Sequence, residues 1–292
     1  MKSGLIVASY GRPAILRSFL QTIKLQSLQP DEIVLSVVAA SDLPDLSEFE
    51  LPIKVICGPP GSCVQRNRGI DYLQGRVDCI LFLDDDFWMS PGYVASIRRI
   101  FETDRTIVGV TGFVIKDGAT SRGFTGPEAD SIIADDERLH AGGLPSTITD
   151  VDDTYGCNMA FRASCMGDIR FDERLPLYGW QEDVDFSAQF RSHGRVVRAY
   201  SARGVHLGTK TGKTSGVRFG YSQVVNPIYV AFKGNMAPVR ALRLVLRNIT
   251  ANVVRSFFSE PYVDRRGRLR GNLIGLADLA TCRLDPSRVL RL

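Results

Sequence analysis

Cys79-Ile80-Leu81-Phe82-Leu83-Asp84-Asp85-Asp86-Phe87-Trp88 is a short apolar run that ends abruptly in three carboxylates. The run is too short for a free-standing helix and suits a strand buried on both faces of a parallel sheet. The aspartates then stand at the carboxyl end of the strand, where open α/β sheets bind ligands. Adjacent carboxylates repel, so the arrangement asks for a cation. Hard oxygen donors suit Mg²⁺ or Mn²⁺, and a divalent ion suits a diphosphate. The competing reading is a polar loop leading into a helix that begins near Ser90-Pro91.

The segments around this run alternate. Leu5 to Ser9 reads as a first strand, and Pro13 opens a helix with Ile15, Leu16, Phe19, Leu20 and Ile23 on one face. Glu32 to Val38 and Ile53 to Cys57 read as strands, and Val64 to Leu73 as a helix. A helix follows Pro91, and Ile107 to Val110 is another strand. Strands alternating with helices imply a parallel, right-handed α/β sheet. From Lys116 to Asp152 periodicity fades, as in functional or mobile segments. Gly156 to Arg162 then reads as a strand, Trp180 to Ser192 as a helix, and Arg195 to Ala199 as a further strand.

Past Asn226-Pro227 the character changes. Val239 to Phe258 is helical and amphipathic, with Leu242, Val245, Leu246, Ile249, Val253 and Phe257 on one face and Arg240, Arg243, Arg247 and Arg255 opposite. This pattern fits first a helix packed on the main domain with a solvated arginine face, and second one lying on a membrane surface. From Met236 onward there are eleven arginines, no lysines and four acids, a local bias toward anionic lipid, phosphate or nucleic acid. The net charge of the whole chain is only +4, which does not demand nucleic acid, and none is expected as a partner. Six scattered cysteines without a CxxC pair fit a reducing cytoplasm better than a disulfide framework or a zinc site. Gly4 to Ala8 is too short for a signal peptide, and no stretch approaches a membrane span of about 20 apolar residues. The expected location is the cytoplasm, with the arginine-rich end offering a peripheral place on the inner face of the membrane.

Several clusters carry chemistry. Ser9-Tyr10-Gly11-Arg12 puts an aromatic and an arginine where they could stack on a base and meet a phosphate. Gly61 to Gly69 is a small-residue turn opening a helix, whose free amides favour an anion beside Arg66. Trp180-Gln181-Glu182-Asp183-Val184-Asp185 holds three acids at a helix start, one of which could take a proton from an acceptor hydroxyl. Tyr178 and Trp180 supply aromatic planes suited to stacking on sugar rings. His206 could complete a metal site begun by Asp86, although a lone histidine is more often structural. Gly208 to Thr214 is one residue too short for a P-loop but could close over a diphosphate as a lid.

In this order the segments resemble the family 2 glycosyltransferases. The resemblance rests on Ser9-Tyr10-Gly11-Arg12-Pro13, Arg66-Asn67-Arg68-Gly69, Leu83-Asp84-Asp85-Asp86, Gly156-Cys157-Asn158-Met159-Ala160 and Gly179-Trp180-Gln181-Glu182-Asp183, and covers roughly residues 4 to 210. It implies the GT-A (nucleotide-diphospho-sugar transferase) fold: α/β, with a mostly parallel central sheet flanked by helices and a C-terminal helical extension. The catalytic domain would span 1–225, with a nucleotide-sugar half to about 115 and an acceptor half to 225. A basic amphipathic extension would fill 226–292.

The resemblance also assigns roles. Ser9, Tyr10, Arg12, Arg66, Asp84 and Asp85 would hold a UDP-, dTDP- or GDP-sugar. The family's acids at the end of the second strand have no match in Val37 to Ala40, leaving Asp42 as the candidate base contact. Asp86, with Asp84 and His206, would bind Mn²⁺ or Mg²⁺. Asp183 would be the base, with Glu182 second, and Asn158 and Trp180 would meet a saccharide or lipid-linked acceptor. Direct attack would invert the anomeric carbon. The Gln-x-x-Arg-Trp motif of processive synthases is absent, favouring a single transfer. The rival enzyme is a sugar-phosphate nucleotidyltransferase, whose glycine-rich loop after the first strand would be longer than Ser9 to Arg12. The non-enzymatic rival is an inactive glycan-binding or scaffold protein.

Overall fold

The computed structural model describes residues 1–210, 215–258 and 260–292. The chain forms two compact units. One comprises Met1–Pro60, Val64–Arg170 and a segment beginning at Phe190 that carries the last strand; the other gathers Gly61–Cys63, Phe171–Gln189 and the C-terminal helices.

The first unit is built on strands β1 (Ser3–Ala8), β2 (Glu32–Val37), β3 (Ile53–Cys57), β4 (Cys79–Asp84), β5 (Phe87–Met89), β6 (Ile107–Asp117), β7 (Ile148–Asp150), β8 (Asn158–Arg162) and β9 (Arg195–His206). They form one sheet in the order β3-β2-β1-β4-β8-β6-β9-β5, with β7 also on β9. Its helices are α1 (Pro13–Lys24), α2 (Ser62–Leu73, whose first two residues fall in the second unit), α3 (Tyr93–Thr103) and α4 (Gly126–Leu139). β4 is buried from Cys79 to Leu83, as its unbroken apolar run requires. α1 starts at Pro13 and buries Leu16, Phe19, Leu20 and Ile23. Gly69 lets α2 lie close on β1, since a Cβ there would come within 2.7 Å of Ile6. That close approach carries Arg66 toward the end of β4.

The sheet is mixed. β1 pairs in parallel with β2 and β4, β2 with β3, and β6 with β9. β8 runs antiparallel to both β4 and β6, and β5 and β7 run antiparallel to β9. The parallel pairing expected from the alternation of strands and helices holds for β1 to β4 and for β6 with β9, while β8, β5 and β7 add antiparallel pairs. The strand placed at Ile107 to Val110 extends to Asp117, and that placed at Arg195 to Ala199 extends to His206.

α4 lies in the segment where periodicity had faded. Its start was legible: Thr125 and Glu128 form a capping box, with Pro127 in the first turn. β5 was missed because its three residues sit between two turns, too few for a period to appear.

The second unit contains α5 (Glu182–Ala188), α6 (Gly216–Phe232), α7 (Pro238–Arg255) and α8 (Arg265–Ala280). The helix expected from Trp180 to Ser192 is thus shortened at both ends. Gln181, at φ 77°, and Gly179, at φ 66°, break it before Glu182. α6 runs unbroken across the expected boundary at 225/226. Gly220, Gly271 and Gly275 let α6 and α8 approach closely; a Cβ on Gly220 would meet the Arg268 carbonyl at 2.0 Å.

α7 departs from its sequence-based face. Ala241, Val245 and Asn252 are buried, whereas Leu242, Leu246, Val253 and Phe257 are exposed. The buried face lies about a quarter-turn from the apolar stripe, so much of that stripe remains uncovered within this chain. Among the described residues no helix is long and apolar enough to cross a membrane.

Candidate functional site

In the first unit the sheet register assembles an acidic cluster. β1 pairs with β4 so that Ala8 lies opposite Asp84, putting Ser9 and Arg12 beside the aspartates. The Ser9 hydroxyl donates to Asp85 Oδ2 at 2.6 Å, and the Arg12 guanidinium lies 2.9 Å from Asp85 Oδ1. Asp84 Oδ1 accepts from Arg66 at 2.9 Å, and the same guanidinium nitrogen donates to the Gly156 carbonyl. Arg66 therefore braces the aspartates in this structure; the free-amide anion site expected at the start of α2 has its arginine committed elsewhere.

His206 arrives from the far end of the chain. Antiparallel pairing of β5 with β9 sets Phe87 opposite His206, one residue beyond Asp86. His206 Nε2 then lies 3.6 Å from Asp86 Oδ1, while Nδ1 meets Asp117 Oδ1 at 2.9 Å. Tyr155 donates its hydroxyl to Asp117 Oδ2 at 2.8 Å, fixing that carboxylate. The Thr209 amide donates to Asp86 Oδ2 at 2.8 Å. Thr211 to Thr214, the rest of the expected lid, lie outside the described residues.

These contacts set the protonation states. Burial would lower the pKa of His206, but Asp117 and Asp86 raise it to about 10. Burial would raise Asp86, yet His206, Arg12 and the Thr209 amide hold it well below the carboxylate range. Asp85 is pushed up to about 7 by burial, against the pull of Arg12. Asp85 and Asp86 are thus chemically distinct: Asp86 stays anionic, while Asp85 is turned inward on Ser9 and Arg12.

Asp84, Asp86 and His206 can each offer one ligand atom, and these atoms lie within 4.8 Å of one another. The two carboxylates suit Mg²⁺ or Mn²⁺, and the imidazole nitrogen is better accepted by Mn²⁺. Asp117 stands behind the imidazole, the carboxylate–histidine arrangement that orients a metal-binding ring. The residues present therefore fit the expected divalent ion.

Other expected residues are placed differently. Tyr10 is 56% exposed at the end of β1, an open ring. Asp42 is buried, its oxygens taken by the amides of Gly11, Val38 and Ala39 at 2.9 to 3.0 Å. Burial would raise its pKa, but those amides hold it below the usual value. It staples the ends of β1 and β2 and so shapes the loop carrying Tyr10. Asn158 is fully buried, accepts from the Thr111 hydroxyl at 2.7 Å and donates to the Gly112 carbonyl at 3.3 Å, so it joins β8 to β6.

The second unit carries the other acids. Glu182 is buried, Asp183 is partly exposed, and Asp185 is 1% exposed. Asp185 accepts from Lys233 Nζ at 2.7 Å and from Asn235 Nδ2 at 2.8 Å. Lys233 also reaches Asp172 at 2.7 Å, and Tyr229 donates to that same carboxylate. Asn226 donates to the Trp180 carbonyl at 2.9 Å. Sequence reasoning missed Asp117, Tyr155 and Lys233. Only Lys233 left a signal, as a lone lysine ending the apolar run of α6.

A model of the family described as Glycosyl transferase family 2 matches residues 5–175. Over 107 residues the chain is 32% identical to YwdF, an uncharacterized glycosyltransferase of Bacillus subtilis strain 168, covering 35% of this chain and 39% of that one. Over 180 residues it is 25% identical to the glucosyl-dolichyl phosphate glucuronosyltransferase of Haloferax volcanii, covering 56% and 53%. The chain thus matches between 39% and 53% of the length of these relatives.

Among solved structures, S. aureus TarS 1-349 with UDP-GlcNAc superposes with a TM-score of 0.58 at 14% identity, covering 99% of this chain and 83% of that one. The mannosyltransferase PcManGT from Pyrobaculum calidifontis, with GDP-Man and Mn²⁺, gives 0.57 at 14% identity, covering 99% and 85%. The fold is that of the GT-A glycosyltransferases.

Proposed function

Because the chain belongs to glycosyl transferase family 2, we propose that it moves one sugar from a nucleotide-sugar donor to a saccharide acceptor, free or lipid-linked, with inversion. The observation that carries this reading is the convergence of Asp84, Asp86 and His206 from β4 and β9, with Arg12 alongside. These three residues would hold a divalent ion, which when bound neutralises charge on the departing nucleoside diphosphate. Tyr10 offers its exposed ring to the base, and Arg12 offers charge to the phosphates. Asp183, partly exposed at the start of α5, would take the proton from the acceptor hydroxyl, with Glu182 as the second candidate. Trp180 would stack on the acceptor sugar.

Solved relatives of the fold carry UDP-GlcNAc in one case and GDP-Man with Mn²⁺ in another, which supports the donor class without choosing the base. The test is a thermal-shift panel of UDP-, dTDP- and GDP-sugars with and without Mn²⁺. A donor at about 100 times its Kd adds about 2.7 kcal/mol. A flat response to every donor favours the glycan-binding scaffold, and release of pyrophosphate in place of nucleoside diphosphate favours the nucleotidyltransferase.

We place the chain in the cytoplasm, docked by α7 on the inner face of the membrane. The exposed Leu242, Leu246 and Phe257 beside Arg243 and Arg247 have the chemistry of an interfacial helix on anionic lipid. Leu242→Asp with Leu246→Asp is expected to abolish cosedimentation with phosphatidylglycerol vesicles. Unchanged cosedimentation removes α7 from that role.

A further inference from the structure

Three aromatic side chains meet in the second unit, just ahead of Glu182 and Asp183. The Phe219 ring centroid lies 6.0 Å from that of Trp180 and 6.3 Å from that of Tyr178. None of the three is fully buried, and Tyr178 is 51% exposed. Asn226 holds Trp180 by its carbonyl, and Gly179 at φ 66° sets the turn between Tyr178 and Trp180. The result is a fixed, half-open aromatic surface.

Arg268 of α8 extends over this surface, its guanidinium carbon 4.4 Å from the centroid of Phe219. Among the described residues no carboxylate lies within ion-pair distance of it. The nearby acids are already engaged. Glu260 lies 2.9 Å from Arg265 and 3.5 Å from Arg255, and Asp264 accepts from the Gly267 amide at the start of α8. Burial and the neighbouring charge of Arg265 push the Arg268 pKa down to about 10. Glu260 and Asp264 oppose that shift only from a distance, and a partly desolvated cation with no carboxylate in ion-pair contact is costly, a cost an anionic ligand would offset.

We propose that Tyr178, Trp180, Phe219 and Arg268 form an acceptor subsite for an anionic saccharide. The aromatic surface takes the apolar face of the sugar ring, and Arg268 takes a phosphate or carboxylate attached to that sugar. This deepens the transferase reading and rests on it for the word acceptor. The binding of an anionic sugar can be measured without donor or metal.

The chain has two tryptophans, so Trp88→Phe leaves Trp180 as the sole reporter. Its fluorescence is titrated with glucose 1-phosphate, glucuronate, glucose and inorganic phosphate. Glucose 1-phosphate is expected to saturate the change at a concentration at least about tenfold below glucose or inorganic phosphate. Glucuronate separates a carboxylate from a phosphate preference. Arg268→Gln is expected to bring the charged sugars down to the level of glucose, Arg268→Lys to restore part of the difference, and Phe219→Leu to weaken all three sugars. Circular dichroism and melting of each variant identify any that fail to fold, in which case Arg268→Lys and Phe219→Leu carry the test. Equal binding of glucose and glucose 1-phosphate overturns the proposal, as does an unchanged ratio in Arg268→Gln. Donor stabilisation with Mn²⁺, run on the same proteins, is expected to be unaffected by Arg268→Gln. If donors fail to stabilise even the parent while Trp180 still discriminates the charged sugars, the transferase reading falls and the anionic-sugar site stands.

Discussion

Two acidic triplets, Asp84-Asp85-Asp86 behind β4 and Glu182, Asp183 and Asp185 on α5, solve the same electrostatic problem differently. Around the first, the compensating groups come from many segments: Arg12 behind β1, Arg66 on α2, His206 at the end of β9 and the Thr209 amide. Sheet register and the packing of α2 on β1 bring them together, and His206 with Asp86 can exchange mutual pairing for a shared cation. In the second, the deepest acid is tied to fixed donors. Asp185 is held by Lys233 and Asn235 beyond the end of α6, and Lys233 is shared with Asp172. On the proposed reading the first cluster binds a cation, whereas Asp185 of the second anchors the helix that carries Asp183.

The largest expected difference follows from exchanging one acid in each cluster. Asp86→Ala should abolish Mn²⁺-dependent stabilisation by every donor, and turnover with it. Asp183→Asn should leave donor and Mn²⁺ binding intact while lowering kcat by about 10²- to 10⁴-fold, the range for loss of a general base. Calorimetric donor titration beside initial rates separates the two outcomes. Equal loss of donor binding in both variants would erase the distinction between the clusters.

Lys233→Met tests the anchoring role. A buried carboxylate stripped of its partner costs about 3–5 kcal/mol, and the 29% exposure of Lys233 lowers the expected loss to about 2 kcal/mol. Chemical denaturation measures it. An unchanged midpoint would mean that Asn235 and Tyr229 suffice for the two aspartates and that the ion pair does not hold α5.

The contrast also explains what could be read from residues alone. The apolar run of β4, the proline-initiated α1 and the acids of both clusters are local patterns, and each was legible. His206 was named as a partner of Asp86, and the structure brings the two together, but the register that delivers it was not legible. Its partnership with Asp86 depends on β5, and three residues show no period. Asp117 and Tyr155 were invisible because their role is to orient an imidazole that lies 89 and 51 residues further along the chain. Asn158 was read as an acceptor contact from its neighbours' match to a family pattern; its bonds to Thr111 and Gly112 depend on long-range pairing and left no local signal. On α7 the apolar stripe was correctly seen, but its covered side was not, since packing chose Ala241, Val245 and Asn252. Local periodicity reports which residues share a face; long-range register decides what that face meets.

The smallest effect concerns the proton that makes the first cluster adaptable. Without metal, His206 is held protonated by Asp117 and Asp86, with its pKa raised to about 10 from an ordinary value of 6.5. A group raised on folding stabilises the chain fully below its unfolded pKa, and that stabilisation is lost as pH climbs through the folded one. The metal-free protein should therefore lose stability between about pH 6.5 and 10, within the window set by those two values. A metal ligand must instead be neutral, so binding at His206 expels a proton. Mn²⁺ affinity should accordingly rise about tenfold per pH unit over that window. Titration calorimetry in two buffers of different ionisation enthalpy should count close to one proton released per ion. Asp117→Asn removes one of the two carboxylates that raise His206, so the pH dependence should move to lower pH. Its affinity above that transition should fall by about 10- to 100-fold, because the ring loses the partner that orients it. An affinity that does not vary with pH in the parent protein would show that His206 is no ligand and that the ion, if bound, is held by the aspartates alone.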